Sequence, residues 1–219
     1  NLRVTVGRDM VFRVCFTDDQ QAYAIAKFVH DNLKFNKAAI LFDQTQAYSK
    51  GLRDDFVKSY TAMGGQVTIE QTFSGGDQDF SAQLTSIKAT NPQIILVPGY
   101  YTEGGNIAIQ ARKLGITAPL IGGDGWDSEQ LAVIGKDAIE GSYYSNHSAP
   151  DQPNSNLAAF IEHYKAEYSN QTPDALGGLG YDAAMVLFDS MKRAKSLAGP
   201  DLAAAIAGAN YQKANGGGP

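Results

Sequence analysis

Cysteine is almost missing from this chain: Cys15 is the single one among 219 residues. No disulfide can close within it, and no cysteine cage can hold a metal. Histidine is nearly as scarce. His30, His147 and His163 include no pair spaced one helical turn apart, the arrangement that grips zinc, and no Gly-x-Ser-x-Gly elbow presents a serine nucleophile. The chain is therefore read as a non-enzyme that uses no cofactor. Long apolar runs are missing too, since no window approaches the roughly 20 residues that cross a bilayer. Asn1 to Arg8 lack the basic start and apolar stretch of a signal peptide. These absences describe a soluble chain whose export signal, where one exists, has been removed or lies upstream. Charge of one sign is also lacking, because 18 Lys and Arg are interspersed with 23 Asp and Glu for a net charge of −5. Without a basic stripe to neutralise phosphates, nucleic acid is excluded as a partner.

What is present is a chain with 43% hydrophobic residues, enough to bury the core of one large or two small domains. Two periodicities alternate along it. Short β-type runs at Val11 to Phe16, Ala38 to Phe42, Val67 to Phe73, Ile94 to Val97 and Pro119 to Gly122 are separated by helical stretches. The helices are predicted at Gln20 to Leu33, Ser49 to Met63, Phe80 to Ala89, Glu103 to Leu114 and Ser128 to Ile134. Gly64 and Gly65, Asn91 with Pro92, and Gly115 supply the stops. Such alternation is satisfied by a parallel, doubly wound sheet covered by helices on both faces, and this α/β lobe is placed at residues 10–147.

After Tyr144 the pattern changes. Ser148 to Asn154 is rich in Pro, Asp, Ser and Asn, and the rest of the chain is helical with no strand between: Asn156 to Tyr168, Gly180 to Lys195 and Pro200 to Ala207. Their apolar faces, such as Leu157, Phe160, Ile161 and Tyr164, need a sheet to pack on, and residues 148–211 contain none. This part is read as the helical remainder of a second, incomplete lobe. Residues 212–219, ending in three glycines and a proline, have the composition of a flexible tail or linker.

In open parallel α/β sheets, ligands bind beyond the carboxyl ends of the strands. The residues standing there are Thr17, Asp18 and Asp19, then Tyr48, then Gly99, Tyr100 and Tyr101, and finally Gly123, Asp124 and Trp126. Two tyrosines and one carboxylate converging from separate loops suit a small cation or an ammonium group. The carboxylate gives a charge-assisted hydrogen bond and an aromatic face adds cation–π attraction. Competing readings are weaker. Asp77 and Asp79 beside Gly75 and Gly76 suggest a calcium loop only faintly, and either as a helix cap is the simpler account. Gly178-x-Gly180-x-x-Ala183 fits a dinucleotide motif formally, but no strand precedes it, and it is read as a loop entering a helix.

The chain resembles the branched-chain amino-acid (Leu/Ile/Val-binding-like, type I) periplasmic binding proteins, the receptors of ABC importers. Five segments carry the resemblance: Val11-Phe-Arg-Val-Cys-Phe-Thr-Asp-Asp-Gln-Gln21, Pro98-Gly-Tyr-Tyr-Thr-Glu103, Gly122-Gly-Asp-Gly-Trp-Asp127, Glu140-Gly-Ser-Tyr-Tyr144 and Gly180-Tyr-Asp-Ala-Ala184. It implies two lobes that close over a ligand about a hinge, a small amino-acid ligand, an ABC permease as partner, and a periplasmic or extracellular location. It further implies Tyr48 and Tyr100 as walls of the site and Asp124 as acceptor of the ligand's α-ammonium. Thr17, Asp18 and Trp126 fall at the hinge or cleft edge. Leu176 stands where the family often has an aromatic residue. In the family a first-lobe segment lies upstream of Asn1 and holds the ligand's carboxylate, so the chain is expected to be truncated. Where that segment is a separate polypeptide, it is a further partner.

Overall fold

The computed structural model describes residues 5–148 and 155–210. These divide into two compact units, Thr17–Ser145 on one side and Asn1–Phe16 with Asn146–Pro219 on the other.

The unit Thr17–Ser145 is built on five parallel strands in the order β2-β1-β3-β4-β5. They are β1 (Lys37–Asp43), β2 (Gln66–Phe73), β3 (Ile94–Leu96), β4 (Leu120–Gly122) and β5 (Tyr143–Tyr144). Strand β1 lies inside the sheet and is buried from Ala38 to Asp43, which explains its unbroken apolar run. Alternate side chains go to opposite faces: Ala39 and Leu41 join Ile95, Val97 and Leu120 in one core cluster, whereas Ala38, Ile40 and Phe42 join Ile94, Leu96 and Ile121 in the other. Each Leu or Ile so buried contributes about 1.5–3 kcal/mol.

Helices close both faces. Helix α1 (Asp18–Lys27) starts at Thr17, whose N–H donates to the Gln20 side chain at 3.3 Å, with Asp18 and Asp19 in the first turn where the helix dipole favours negative charge. A single π-turn, Phe28–Asn32, continues it. Helix α2 (Ala47–Ala62) turns Ser49, Leu52, Phe56 and Tyr60 inward at helical spacing. It ends at Gly64, whose φ of +92° suits glycine, and the N–H of Gly65 returns to the Tyr60 carbonyl at 2.9 Å. Helix α3 (Ser81–Ala89) follows β2, helix α4 (Tyr101–Lys113) follows β3 and stops at Gly115, φ +74°, and the short α5 (Glu129–Gly135) follows β4.

The other unit contributes α6 (Ser155–Glu167), α7 (Ala175–Arg193) and α8 (Gly199–Ala207), and no strand among its described residues. Leu157 and Phe160 form its buried nucleus, with Ile161 and Tyr164 packed on them.

The structure corrects four expectations. Val11 to Phe16 is not a strand: it has the composition of one, but no strand among the described residues pairs with it, and a strand without a ladder leaves its backbone groups to water. The division between units accordingly falls at Phe16/Thr17 and Ser145/Asn146, in place of 10 and 147. Tyr143–Tyr144 is a strand that two residues of sequence could not announce. Helix α7 begins five residues before Gly180, because the Asp174 side chain accepts the Gly177 N–H at 2.6 Å; the Gly178-x-Gly180 pattern thus lies within a helix, and its glycines had masked the start. The proposed tail 212–219 lies outside the described residues.

Candidate functional site

The strand order reverses between β1 and β3, so the loops leaving those strands part in opposite directions and open a crevice at their carboxyl ends. Three residues named from the sequence meet there. Tyr48 stands in the first turn of α2 after β1, Tyr100 is the residue preceding α4 after β3, and Asp124 opens a 3-10 turn, Asp124–Trp126, after β4.

The Tyr48 hydroxyl donates to Asp124 Oδ1 at 2.7 Å, and the rings of Tyr48 and Tyr100 lie 5.7 Å apart, tilted by 39°. Burial pushes the Tyr48 phenol far above its ordinary range, and the charge and hydrogen bond of Asp124 add to the shift; a backbone N–H from Gly125 to the phenolic oxygen works the other way. Tyr48 therefore stays a protonated donor. Tyr100 remains 47% exposed.

Glycines make this convergence possible. A Cβ on Gly123 would stand 2.3 Å from the Tyr48 hydroxyl and 2.8 Å from Leu52, and one on Gly125 would stand 2.5 Å from the Gly99 carbonyl oxygen. The Gly-Gly-Asp-Gly run is thus a close-approach segment with the acid in its middle.

The remaining sequence candidates do not join this hydrogen-bonded set. Thr17 is buried at the start of α1, and the division between the two units runs between it and Phe16. Asp18 is half-buried beside it. Its carboxyl is raised above the ordinary aspartate value, first by burial and further by the nearby charges of Asp124, Asp55 and Asp19. Neither residue follows a strand as the sequence suggested. Trp126 is corrected from cleft edge to core: it is 1% exposed and fills the space above Gly104 and Gly122. Its two glycine neighbours were the sequence signal for that packing. Leu176 lies in the first turn of α7, in the other unit, and is 54% exposed. Asp79 accepts the Ser81 N–H at 2.9 Å and Asp77 the Ser74 N–H at 2.8 Å. Both are local turn and cap contacts, and no cluster of metal-ligating side chains occurs among the described residues.

One participant was missed. Gln21, in α1, is only 3% exposed, and its amide oxygen lies 3.5 Å from the Tyr48 hydroxyl. A buried glutamine on an otherwise apolar helix face, beside Ala22, Ile25 and Ala26, is the pattern that could have revealed it.

A family model for periplasmic binding proteins matches residues 4–219. The chain belongs to that family. Within it, the chain is of the branched-chain amino-acid type, as the sequence resemblance had it. It is 40% identical over 154 residues to a Leu/Ile/Val-binding protein of Rhizobium johnstonii, an alignment covering 70% of this chain and 42% of that one. Among solved structures, a leucine-binding protein of Thermotoga maritima superposes with a TM-score of 0.93 at 42% identity, covering 99% of this chain and 62% of the other. A branched-chain amino acid transporter substrate binding protein of Streptococcus pneumoniae, in complex with isoleucine, gives 0.87 at 29% identity over 96% of this chain and 60% of that one. The parallel, helix-covered sheet is this family's fold, and its members here are binding proteins rather than enzymes. The chain thus spans about two-fifths of the length of the Rhizobium relative. No helix among the described residues is long and apolar enough to cross a membrane.

Proposed function

We propose that this periplasmic binding protein captures a small amino acid for an ABC importer. One observation carries the reading: Tyr48 and Asp124 joined at 2.7 Å, with the Tyr100 ring 5.7 Å from that of Tyr48, at the carboxyl edge of a parallel sheet. An ammonium group there meets one fixed carboxylate in a half-buried setting and an aromatic face beside it. In this reading Thr17–Ser145 is the second lobe of the receptor and the α6–α8 unit is part of the first. Thr17, Asp18 and Leu176 are kept as further candidate ligand-site residues, and the whole works in the periplasm or outside the cell with a permease as partner. The branched-chain ligands in the relatives' names support the amino-acid class.

Calorimetric titration with L-amino acids and γ-aminobutyrate tests this, on the chain alone and on a chimera that adds the upstream segment of the Rhizobium relative. Asp124→Ala should abolish binding while leaving the fold intact, because stranding a ligand cation without its charged partner costs about 2–5 kcal/mol. Undiminished affinity in that variant would remove Asp124 from the site.

A second reading has an observation of its own. Leu187, Phe188, Met191 and Leu197 on and after α7 are exposed, and α8 buries no residue among those described. An apolar surface of that kind serves pairing with another chain, so a sensory or engineered scaffold that keeps the fold without transport is the alternative. Failure of both the chain and the chimera to bind any amino acid would favour it.

A further inference from the structure

Gln21 lies at the back of the Tyr48–Asp124 pair, and the proton count of the Tyr48 hydroxyl gives it a task. A phenol has one proton to donate and can accept from its lone pairs. The proton goes to Asp124 Oδ1 at 2.7 Å, which leaves the phenolic oxygen its lone pairs to accept with. With the carboxamide oxygen of Gln21 facing the hydroxyl at 3.5 Å, two acceptors oppose each other, and the amide nitrogen is left buried with no hydrogen-bond partner among the described residues. A half-turn of the carboxamide, whose oxygen and nitrogen have nearly the same shape, removes both faults. Nε2 then donates to Tyr48, and the group left over is a carbonyl oxygen, which interiors tolerate better than an orphan N–H.

The surroundings hold these groups together. Gln21 is 3% exposed, and a Cβ on Gly123 would lie 3.3 Å from its amide oxygen and 2.3 Å from the Tyr48 hydroxyl. The glycine that precedes Asp124 thus leaves room for both side chains at once. Nothing in the packing of α1 requires an amide here, since Ala22, Ile25 and Ala26 supply the helix's apolar contacts.

We propose that Gln21 is a positioning residue of the ligand site: its amide N–H donates to the Tyr48 oxygen, commits the phenolic proton to Asp124, and so orients that carboxylate toward a ligand's ammonium group. The proposal rests on the ammonium-binding reading for its ligand, but the relay itself exists without one. It also defines a specificity rule. A ligand recognised through an oriented carboxylate must carry N–H donors, so a quaternary trimethylammonium analogue of the same amino acid gains nothing from the relay.

Two measurements test it. The first needs no ligand: in the chain labelled with 13Cζ-tyrosine, the Tyr48 resonance is assigned by its disappearance in Tyr48→Phe. It should shift in Gln21→Met, and also in Gln21→Glu, which keeps the length and an oxygen but loses the N–H. A wild-type Tyr48 resonance in Gln21→Glu would mean that residue 21 accepts and does not donate, which overturns the relay. The second is a double-mutant cycle on whichever form binds an amino acid. Gln21→Met should weaken binding roughly three- to tenfold, and should have no further effect once Tyr48→Phe is present, because the residue acts through the phenol. An equal loss in both backgrounds would make Gln21 merely structural and overturn the proposal. Absence of binding by every form would sink the function proposed above, while the tyrosine spectrum would still decide the relay.

Discussion

At the residue scale, the candidate site is a small set of polar and aromatic side chains whose roles follow from their partners. Tyr48, Tyr100 and Asp124 were legible from the sequence because each stands next to a strand end and is of a type suited to an ammonium group. Gln21 was not, because its part depends on a hydroxyl 27 positions along the chain, and no local pattern reports such a contact. Asp18 offers a test in the unliganded protein. Its carboxyl is raised by burial and by neighbouring acids, so the folded state holds that proton more tightly than the unfolded chain does. The stability from the protonated form is complete below the ordinary aspartate range and is lost as pH rises through the raised value. Asp18→Asn should therefore unfold at higher denaturant than wild type at pH 7, and this advantage should disappear when both are measured near pH 3. An advantage that persists at low pH would place its origin in packing rather than in charge.

At the scale of elements, capping and periodicity predicted most of what the structure shows. Gly64 and Gly115 stop α2 and α4 with positive φ, as their positions implied. The buried alternation of β1 sorts its residues onto two faces. Val11 to Phe16 fails the same reasoning for a physical reason: β-branched and aromatic composition gives a segment a preference for extension, but a strand exists only where a neighbour completes the ladder. Trp126 shows the reverse. Its position after a strand suggested the cleft, whereas the bare backbones of Gly104 and Gly122 draw it into the core. Gly122→Ala would set a methyl group 2.3 Å from the indole and force the ring off its rotamer. The expected loss is about 1–3 kcal/mol, read as a lower denaturation midpoint with an unchanged slope. A midpoint equal to wild type would show that the indole has room to yield.

At the scale of the whole molecule, the two units differ in how they are completed. Thr17–Ser145 has helices on both faces of its sheet and two core clusters. The α6–α8 unit has a small nucleus at Leu157 and Phe160 and leaves Leu187, Phe188 and Leu197 exposed. An apolar dye such as anilinonaphthalene sulfonate should fluoresce with the chain alone and lose most of that signal in the chimera that adds the upstream segment. Equal fluorescence in both would mean that the segment does not cover this face. The sequence by itself determined the class of fold, the alternation of strand and helix, the helices between 155 and 207, and the three residue types beyond the strand ends. Those properties are local or periodic, and a helix stop or a strand face is written within a few residues. Tertiary structure alone decided which strands neighbour one another, that the order turns between β1 and β3, that Trp126 goes inward, and that Gln21 and Asp124 both meet the Tyr48 hydroxyl. Each of these joins residues far apart in the chain, and only the packed core fixes such distances.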